Sequence, residues 1–387
     1  MRTVPGRLDV LAYLDSDQVG GAERSLATLL RRLRGAVDIT VAGTDPRTTG
    51  WVASQAGVDR VELLPPAPTK WHLGAGLAHV RAIRRLRPAV LHVNLRHPYS
   101  CQWALLAGVV TPAVQVVAVE HFVMPPTSQR QGRFKRAMAR RLDAHVSVSD
   151  YAACALESAV GLPTGSVRTI RNGIDLGEPV EPRSGTAPAV VGSVARLAPE
   201  KGLDVLLRAA ARLPGVLVEL TGEGPERHRL ETLAAELGIG ERVSLRGHTD
   251  SPRSALARLD VLVVPSLEES FALVVAEGMA AGLPVLASDV GGIHEVIGDE
   301  ATGQLVPAGD ADALAAALRN LLADPTGRKS MGRRARARAL EQLGADAMAA
   351  SFLDLYRELV GQDCVGEGDG SAGASLEAPA EGERERS

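Results

Sequence analysis

Aromatic residues make up only 3% of this 387-residue chain. Surfaces that bind single-stranded nucleic acid stack bases on aromatic side chains, so the scarcity argues against a nucleic-acid partner. Cysteine is also rare. Cys101, Cys154 and Cys364 are scattered without CxxC or Cys/His spacing, which supports neither a disulfide framework nor a zinc site and fits a reducing cytoplasm. Nowhere do about 18 uninterrupted apolar residues occur, and the N-terminal MRTVPGRLDVLAYLDSD shows no long apolar run and no small-residue cleavage pattern. The expected location is cytoplasmic, without a standard secretion signal or a membrane span. The dinucleotide fingerprint GxGxxG with a later acidic residue is missing both after the first strand and at Thr221–Pro225.

What is present begins with length. A chain of 387 residues is long for one core, and about two domains are expected. The net charge of -3 conceals an imbalance: residues 1–178 carry 22 Lys+Arg against 14 Asp+Glu, residues 179–360 carry 19 against 25, and 361–387 carry 2 against 7. A basic first half suits phosphates or anionic lipid.

Short Val/Ile/Leu runs alternate with amphipathic segments from Leu8 onward. Strands are expected at Leu8–Leu14, Ile39–Ala42, Val61–Leu64, Val90–Val93, Val114–Val119 and Val146–Val148, with helices at Ala22–Leu33, Leu77–Leu86, Tyr99–Val109, Arg133–Leu142 and Tyr151–Ala159. This βαβ punctuation implies a parallel sheet covered on both faces. Around Leu176–Pro188 the pattern lapses into Pro, Gly and Glu, read as a linker. It then resumes with strands at Val190–Val194, Leu217–Leu220, Val243–Leu245, Val261–Val264 and Pro284–Ala287. Three helices follow Asp310, the last of which, Ala345–Val360, is placed to pack back across the first unit. The boundaries expected are 1–175, a linker at 176–188, 189–344, a crossover helix at 345–360 and a Gly/Ala/Glu-rich tail at 361–387 expected to be disordered.

Several stretches carry candidate chemistry. In VVPSLEESFALVVAEGMAAGLPVLAS, a buried strand, a loop and a helix N-terminus make an anion-binding corner. Glu269 lies in its loop and Glu277 about two turns into the helix, so both carboxylates can reach one elongated ligand or merely complement the helix dipole. Gly20–Gly21–Ala22–Glu23–Arg24 reads either as a close approach to an anion or as a tight strand-to-helix turn. Asp15–Ser16–Asp17 reads as capping or solvated acid rather than as a metal site. After the first strand of the second unit, Arg196 offers a fixed fork of donors and Lys201 a mobile charge, suited to a diphosphate. His121, at the carboxyl end of a strand, is placed to donate to a phosphate or a sugar hydroxyl, or is a satisfied structural histidine. The stretch 130–142 (RQGRFKRAMARRL) puts Phe134, Met138 and Leu142 at spacing four on a basic helix. Such a stripe is either core with a charged back or a surface for anionic membrane.

Taken together, GGAER after the first strand, VEHF with His121, IRNGID (Ile170–Asp175), ARLAPEKG (Ala195–Gly202), TGEGPER (Thr221–Arg227), LRGH (Leu245–His248), Glu269-x7-Glu277, and GGIHEVI followed by TGQLVPAGD make the chain resemble the family-4 retaining glycosyltransferases of the GT-B fold. The resemblance covers most of residues 8–360. It implies an α/β architecture of two Rossmann-like domains facing a cleft, with a nucleoside diphosphate-sugar as substrate, no cofactor and no metal. Arg196 and Lys201 would hold the diphosphate and, with His121 and Glu269, form the catalytic set. Glu277 would meet the ribose and Glu269 the donor sugar, with the amides around Phe271, Ala272 and Leu273 on sugar and phosphate. Gly21 would let the first domain's loop close on the diphosphate, and Gly222 and Gly247 are further donor-site positions, Gly247 beside the base. The acceptor would be a glycan, a lipid-linked molecule or a small molecule. A catalytically silent sugar-nucleotide-binding partner of a glycan assembly complex, or a GT-B nucleotide-sugar epimerase, is the alternative. Ser270 and Ala272 stand where many members carry glycine, and Ala195 replaces a frequent glycine. A positive φ at Ser270 or Ala272 would therefore carry a strain cost.

Overall fold

The computed structural model describes residues 7–67, 72–180, 188–249 and 251–361. Residues 181–187 of the expected linker and the tail from 362 lie outside the described residues. Within them the first sheet comprises β1 (Leu8–Leu14), β2 (Val37–Gly43), β3 (Val61–Leu63), β4 (Val90–Leu95), β5 (Gln115–Glu120), β6 (Ala144–Ser147) and β7 (Arg168–Thr169), in the order β3-β2-β1-β4-β5-β6-β7. The second comprises β8 (Val190–Val194), β9 (Leu217–Thr221), β10 (Val243–Leu245), β11 (Val261–Val264), β12 (Val285–Ser288) and β13 (Gln304–Val306), in the order β10-β9-β8-β11-β12-β13. All strand pairings are parallel. The continuous apolar runs have a physical reason: a central parallel strand is covered by helices on each side, and β1 is buried throughout except at Asp9.

Both sheets reverse their order of strand addition beside their first strand, between β1 and β4 in one and between β8 and β11 in the other. The loops leaving the carboxyl ends of these strands diverge there, which opens a crevice. Gly21 follows β1, Arg196 and Lys201 follow β8 and Glu269 follows β11, while His121, Gly222 and Gly247 follow the neighbouring strands β5, β9 and β10 and Glu277 lies in the helix after β11.

The crossover helix Ala345–Leu359 returns to the first unit as expected. Phe352 and Tyr356 are buried, the Tyr356 hydroxyl lies 2.6 Å from His92 Nδ1, and the Phe352 and His92 rings are 5.3 Å apart. Burying aromatic side chains of this size stabilises the docking by about 1.5–3 kcal/mol each. The chain enters this helix through IRNGID: Ile174 donates to the Leu343 carbonyl and Ala345 to the Ile174 carbonyl, both at 2.9 Å. One hydrophobic core runs from β1 and the helix Gly21–Leu33, through Phe352 and Tyr356, into the helix Leu273–Ala281 of the second unit.

Some elements differ from the sequence expectation. A helix at Pro46–Ala56 was not anticipated; Asp45 Oδ1 accepts the Thr48 amide at 2.8 Å and left-handed Gly57 ends it. The fourth helix of the first unit begins at Gln102 rather than Tyr99, because Cys101 has φ +56°. The basic helix spans Gln129–Ala139, not Arg133–Leu142. Its buried side is Gly132, Lys135 and Met138, Leu142 is partly buried, and Phe134 is exposed, so the spacing-four stripe is not a single face. Lys135 turns inward because it pairs with Glu120.

Candidate active site at the interdomain cleft

The register of β8 on β11, with Val191 opposite Val261 and Gly192 opposite Leu262, brings the ends of these strands side by side. The loop after β8 carries Arg196 and Lys201, and the loop after β11 carries Glu269. The two loops meet: Lys201 Nζ is 2.6 Å from Glu269 Oε1, which also accepts from Ser266 Oγ at 3.1 Å. Lys201 keeps 22% of its side-chain surface and Glu269 keeps 12%. Arg196 is more exposed and pairs with Glu200. A cation able to meet phosphate and a carboxylate able to accept from sugar hydroxyls thus share one spot.

Gly222, Gly247 and Ala195 are linked to one another just past the ends of β9, β10 and β8. The Gly222 amide donates to the Gly247 carbonyl at 2.8 Å and the Ala195 amide to the Thr221 carbonyl at 3.0 Å. Gly222 has φ +144° and presses its Cα side against the Ala195 carbonyl, so a side chain there would collide with backbone.

The loop after Glu269 leads into the helix Leu273–Ala281. Phe271 is buried in the core shared by both units. Ala272 is left-handed at φ +61°, whereas Ser270 is not among the positive-φ residues, so the strain foreseen for one of these positions falls on Ala272. Left-handed Ala272 turns the chain sharply into the helix start. The Ser270 carbonyl accepts from Ser149 Oγ of the first unit at 2.5 Å.

Glu277 lies little more than one turn into this helix, nearer its start than expected. It pairs with Arg24 of the first unit. Burial raises its pKa, and Arg24 offsets only part of that rise. Its Oε2 is buried and has no hydrogen-bond partner among the described residues. A cavity of about 300 Å3 lies beside the pair, lined among others by Thr28, Asp175, Arg253 and Leu273. Gly21 faces the same corner from the first unit: a Cβ there would stand 3.6 Å from Leu273 Cδ1.

His121 follows β5 and is half-buried. Its Nε2 lies 2.7 Å from Asn94 Oδ1, and burial pulls its pKa down to about 4, so the ring is neutral near pH 7. The preceding Glu120 is fully buried between Lys135 and His145, with His145 Nε2 at 2.9 Å. Burial alone would raise the Glu120 pKa, but the Lys135 ammonium and the His145 hydrogen bond override it and bring it to about 2.

Four participants were not assigned from the sequence. Arg24 was part of GGAER, but its partner lies 253 positions away. Asn94 sits in a segment without a motif, and Lys135 lies in the basic stretch 130–142, whose spacing gave it no partner. Glu295, within GGIHEVI, accepts from the Asp150 and Tyr151 amides of the first unit at 3.0 and 2.6 Å, capping a helix across the interface. In the first-strand loop, Asp15 accepts the Cys101 amide at 2.5 Å and Asp17 pairs with Arg96 at 3.3 Å.

Known proteins sharpen this reading. Residues 19–178 match the model of glycosyltransferase family 4 and residues 178–338 that of the glycosyl transferases group 1. The chain belongs to the group 1, family-4 glycosyltransferases. Over 166 residues it is 36% identical to the lipopolysaccharide core biosynthesis glycosyltransferase LpsE of Rhizobium meliloti, covering 43% of this chain and 49% of that protein. Over 187 residues it is 37% identical to the D-inositol 3-phosphate glycosyltransferase of Mycobacterium marinum, covering 46% of this chain and 40% of that one. These matches span half or less of either relative. Among solved structures, Anabaena HepE in complex with UDP superposes with a TM-score of 0.79 at 22% identity, over 91% of this chain and 100% of that one. A sucrose-phosphate synthase from Thermosynechococcus elongatus gives 0.77 at 24%, over 92% and 100%. The architecture is that of the GT-B fold.

Proposed function

We propose that the protein transfers a hexose-type sugar from a nucleoside diphosphate-sugar to a glycan, a lipid-linked molecule or a small molecule, with retention of anomeric configuration. The observation that carries this reading is the junction of Lys201 with Glu269 at the strand-order reversal of the second sheet, with Arg196 in the same loop as Lys201 and Glu277 in the helix that follows Glu269. Arg196 and Lys201 offset the charge that builds on the departing diphosphate, a task that falls to a metal in other transferases. To do so they exchange Glu200 and Glu269 for phosphate oxygens. Glu277 Oε2, buried and without a partner among the described residues, accepts from a ribose hydroxyl. Glu269 accepts from the sugar, and the amides of Phe271 to Leu273 meet sugar and phosphate. Gly21 and His121 close on the reacting end from the first domain, which holds the acceptor. HepE, which shares the fold, has been solved with UDP and with UDP-glucose, so uridine donors are the first to try.

In a retaining transfer without a carboxylate nucleophile, the departing phosphate oxygen takes the acceptor's proton on the same face. Two carboxylates flanking the bond, as in glycosidases, are then not needed. We also place contact with anionic membrane at the helix Gln129–Ala139, where Arg130, Arg133 and Phe134 are exposed. Among the described residues no helix is long and apolar enough to cross a membrane. Sedimentation with anionic vesicles at low salt checks this contact; no pelleting removes it.

The test of the donor site is a thermal-shift screen against UDP, GDP, ADP, TDP and their common sugars, since a ligand that binds only the folded state raises its stability. A shift for one base is expected. No shift with any of them contradicts the proposal.

A further inference from the structure

Asn94 is buried between two partners. Its Nδ2 donates to the carbonyl of Ala22, 3.3 Å away in the first turn of the helix Gly21–Leu33. Its Oδ1 lies 2.7 Å from His121 Nε2. Exchanging the two amide atoms would set Oδ1 against the Ala22 carbonyl oxygen, two acceptors facing each other away from bulk water. The Ala22 carbonyl therefore fixes which way the amide points.

An amide oxygen only accepts, so the hydrogen of this contact belongs to His121 Nε2. Near pH 7 the ring is neutral, because burial brings its pKa to about 4. A neutral imidazole carries one N–H, which leaves Nδ1 with a lone pair. Nδ1 has no partner among the described residues, and it is not one of the buried unpartnered atoms. The charged and titratable groups around the ring are spoken for: Glu120 is held by Lys135 and His145, and His92 by Tyr356.

Resting on the donor site proposed above, we infer that Asn94 is a positioning residue that locks His121 in the Nε2–H tautomer, so that Nδ1 accepts a hydrogen bond from a hydroxyl of the transferred sugar. Of the two partners the sequence left open for His121, phosphate and sugar hydroxyl, this arrangement selects the hydroxyl. Two lone pairs facing each other repel, so a phosphate, a carbonyl or an ether oxygen is rejected at this point. The lock also restricts the donor: its sugar carries a free hydroxyl there, and a deoxy analogue loses the contact. Because the Asn94 anchor is the Ala22 carbonyl, the ring is positioned by the same turn that carries Gly21.

The inference is tested on ligand-free protein labelled with 15N-histidine. His121→Gln identifies the His121 resonances among the nine histidines. The expected spectrum near neutral pH has a protonated Nε2 and a bare Nδ1; a hydrogen on Nδ1, or an even mixture of tautomers, overturns the inference. Asn94→Leu should release the tautomer and lower kcat/KM about tenfold, the scale of one lost hydrogen bond. Since that variant is at risk of misfolding, Asn94→Asp is measured beside it. The carboxylate gives up the bond to the Ala22 carbonyl, but it still accepts from Nε2–H and carries charge, so the tautomer is kept and the His121 pKa rises; an unmoved pKa contradicts the contact. A merely structural Asn94 would lower stability in both variants and leave the tautomer as it was. Donor binding is read separately on the same samples. A locked tautomer in a protein that binds none of the nucleoside diphosphates overturns the functional reading and the role of Nδ1 with it. An Nδ1–H form in a protein that binds one overturns the inference alone.

Discussion

Arg24 and Glu277 meet across the cleft, the guanidinium from the first turn of one domain's opening helix and the carboxylate from the helix that follows β11 in the other. Arg24 keeps 37% of its side-chain surface and Glu277 15%, so the carboxylate bears most of the desolvation. Removing the cation leaves a buried carboxylate without a counter-charge. Arg24→Ala is expected to cost about 1–2 kcal/mol, less than for a fully buried pair because Arg24 is partly solvated. The pH dependence has a definite sign. The folded-state pKa of Glu277 is raised, so its protonated form favours folding at low pH, and that contribution is lost as pH rises through the folded pKa. The loss in Arg24→Ala should therefore be greater near pH 8 than near pH 5 in urea titrations. Equal losses at both would show that Glu277 is not desolvated.

Ala272 and Ser270 give a prediction of opposite signs. An L-residue in the left-handed region costs about 1–2 kcal/mol, and glycine returns about 0.5–1 of that through its freer unfolded chain. Ala272→Gly is thus expected to stabilise by about 0.5 kcal/mol. Ser270 has no positive φ and is buried, so Ser270→Gly should destabilise. Matched thermal melts decide it, and the same sign for both would contradict the loop geometry.

The buried Glu120 governs acid stability. Its folded pKa, about 2 against an ordinary 4.5, is depressed, so its contribution is present above the unfolded value and is lost as pH falls toward 2. The amount is about 3 kcal/mol. His121 and His92, depressed to about 4 and about 3, begin to destabilise earlier, below an unfolded value near 6.5. Acid unfolding should accordingly start below about pH 6 and steepen below about pH 4. Glu120→Gln strands the Lys135 ammonium and should cost about 3–5 kcal/mol, whereas Glu120→Leu combined with Lys135→Met should recover part of it, the buried His145 Nε2 still losing its partner. A double variant no better than the single one would show that the pair is not coupled.

The sequence made the parallel strands legible because a strand covered on both faces is an unbroken apolar run. Leu8–Leu14, Val190–Val194 and Val261–Val264 have the bounds that their patterns imply. The helix Pro46–Ala56 escaped because Val52, Ala53 and Ala56 form too thin an apolar face around Gly50, although Asp45, Pro46 and Gly57 bracket it. At the site, charged residues in strand-end loops could be read from spacing, since the strands fix where those loops emerge. Their partners could not. Arg24 with Glu277 and Asn94 with Ala22 are contacts between elements far apart in sequence, and Lys135 with Glu120 joins a helix to the strand just before it; all three are created only when helices pack on sheets. The basic helix shows the same limit: its spacing suggested Phe134 as part of a face, but the need of Glu120 for a cation turned Lys135 inward instead.

The central claim is that Lys201 and its neighbours bind a nucleoside diphosphate, and calorimetric titration tests it most directly. Wild type and Lys201→Ala are titrated with UDP, then with GDP, ADP and TDP. The account predicts saturable binding of one diphosphate by the wild type and a loss of about tenfold or more in Lys201→Ala, the scale of a charge-assisted contact. Equal affinity in the two proteins would contradict the assignment of the site.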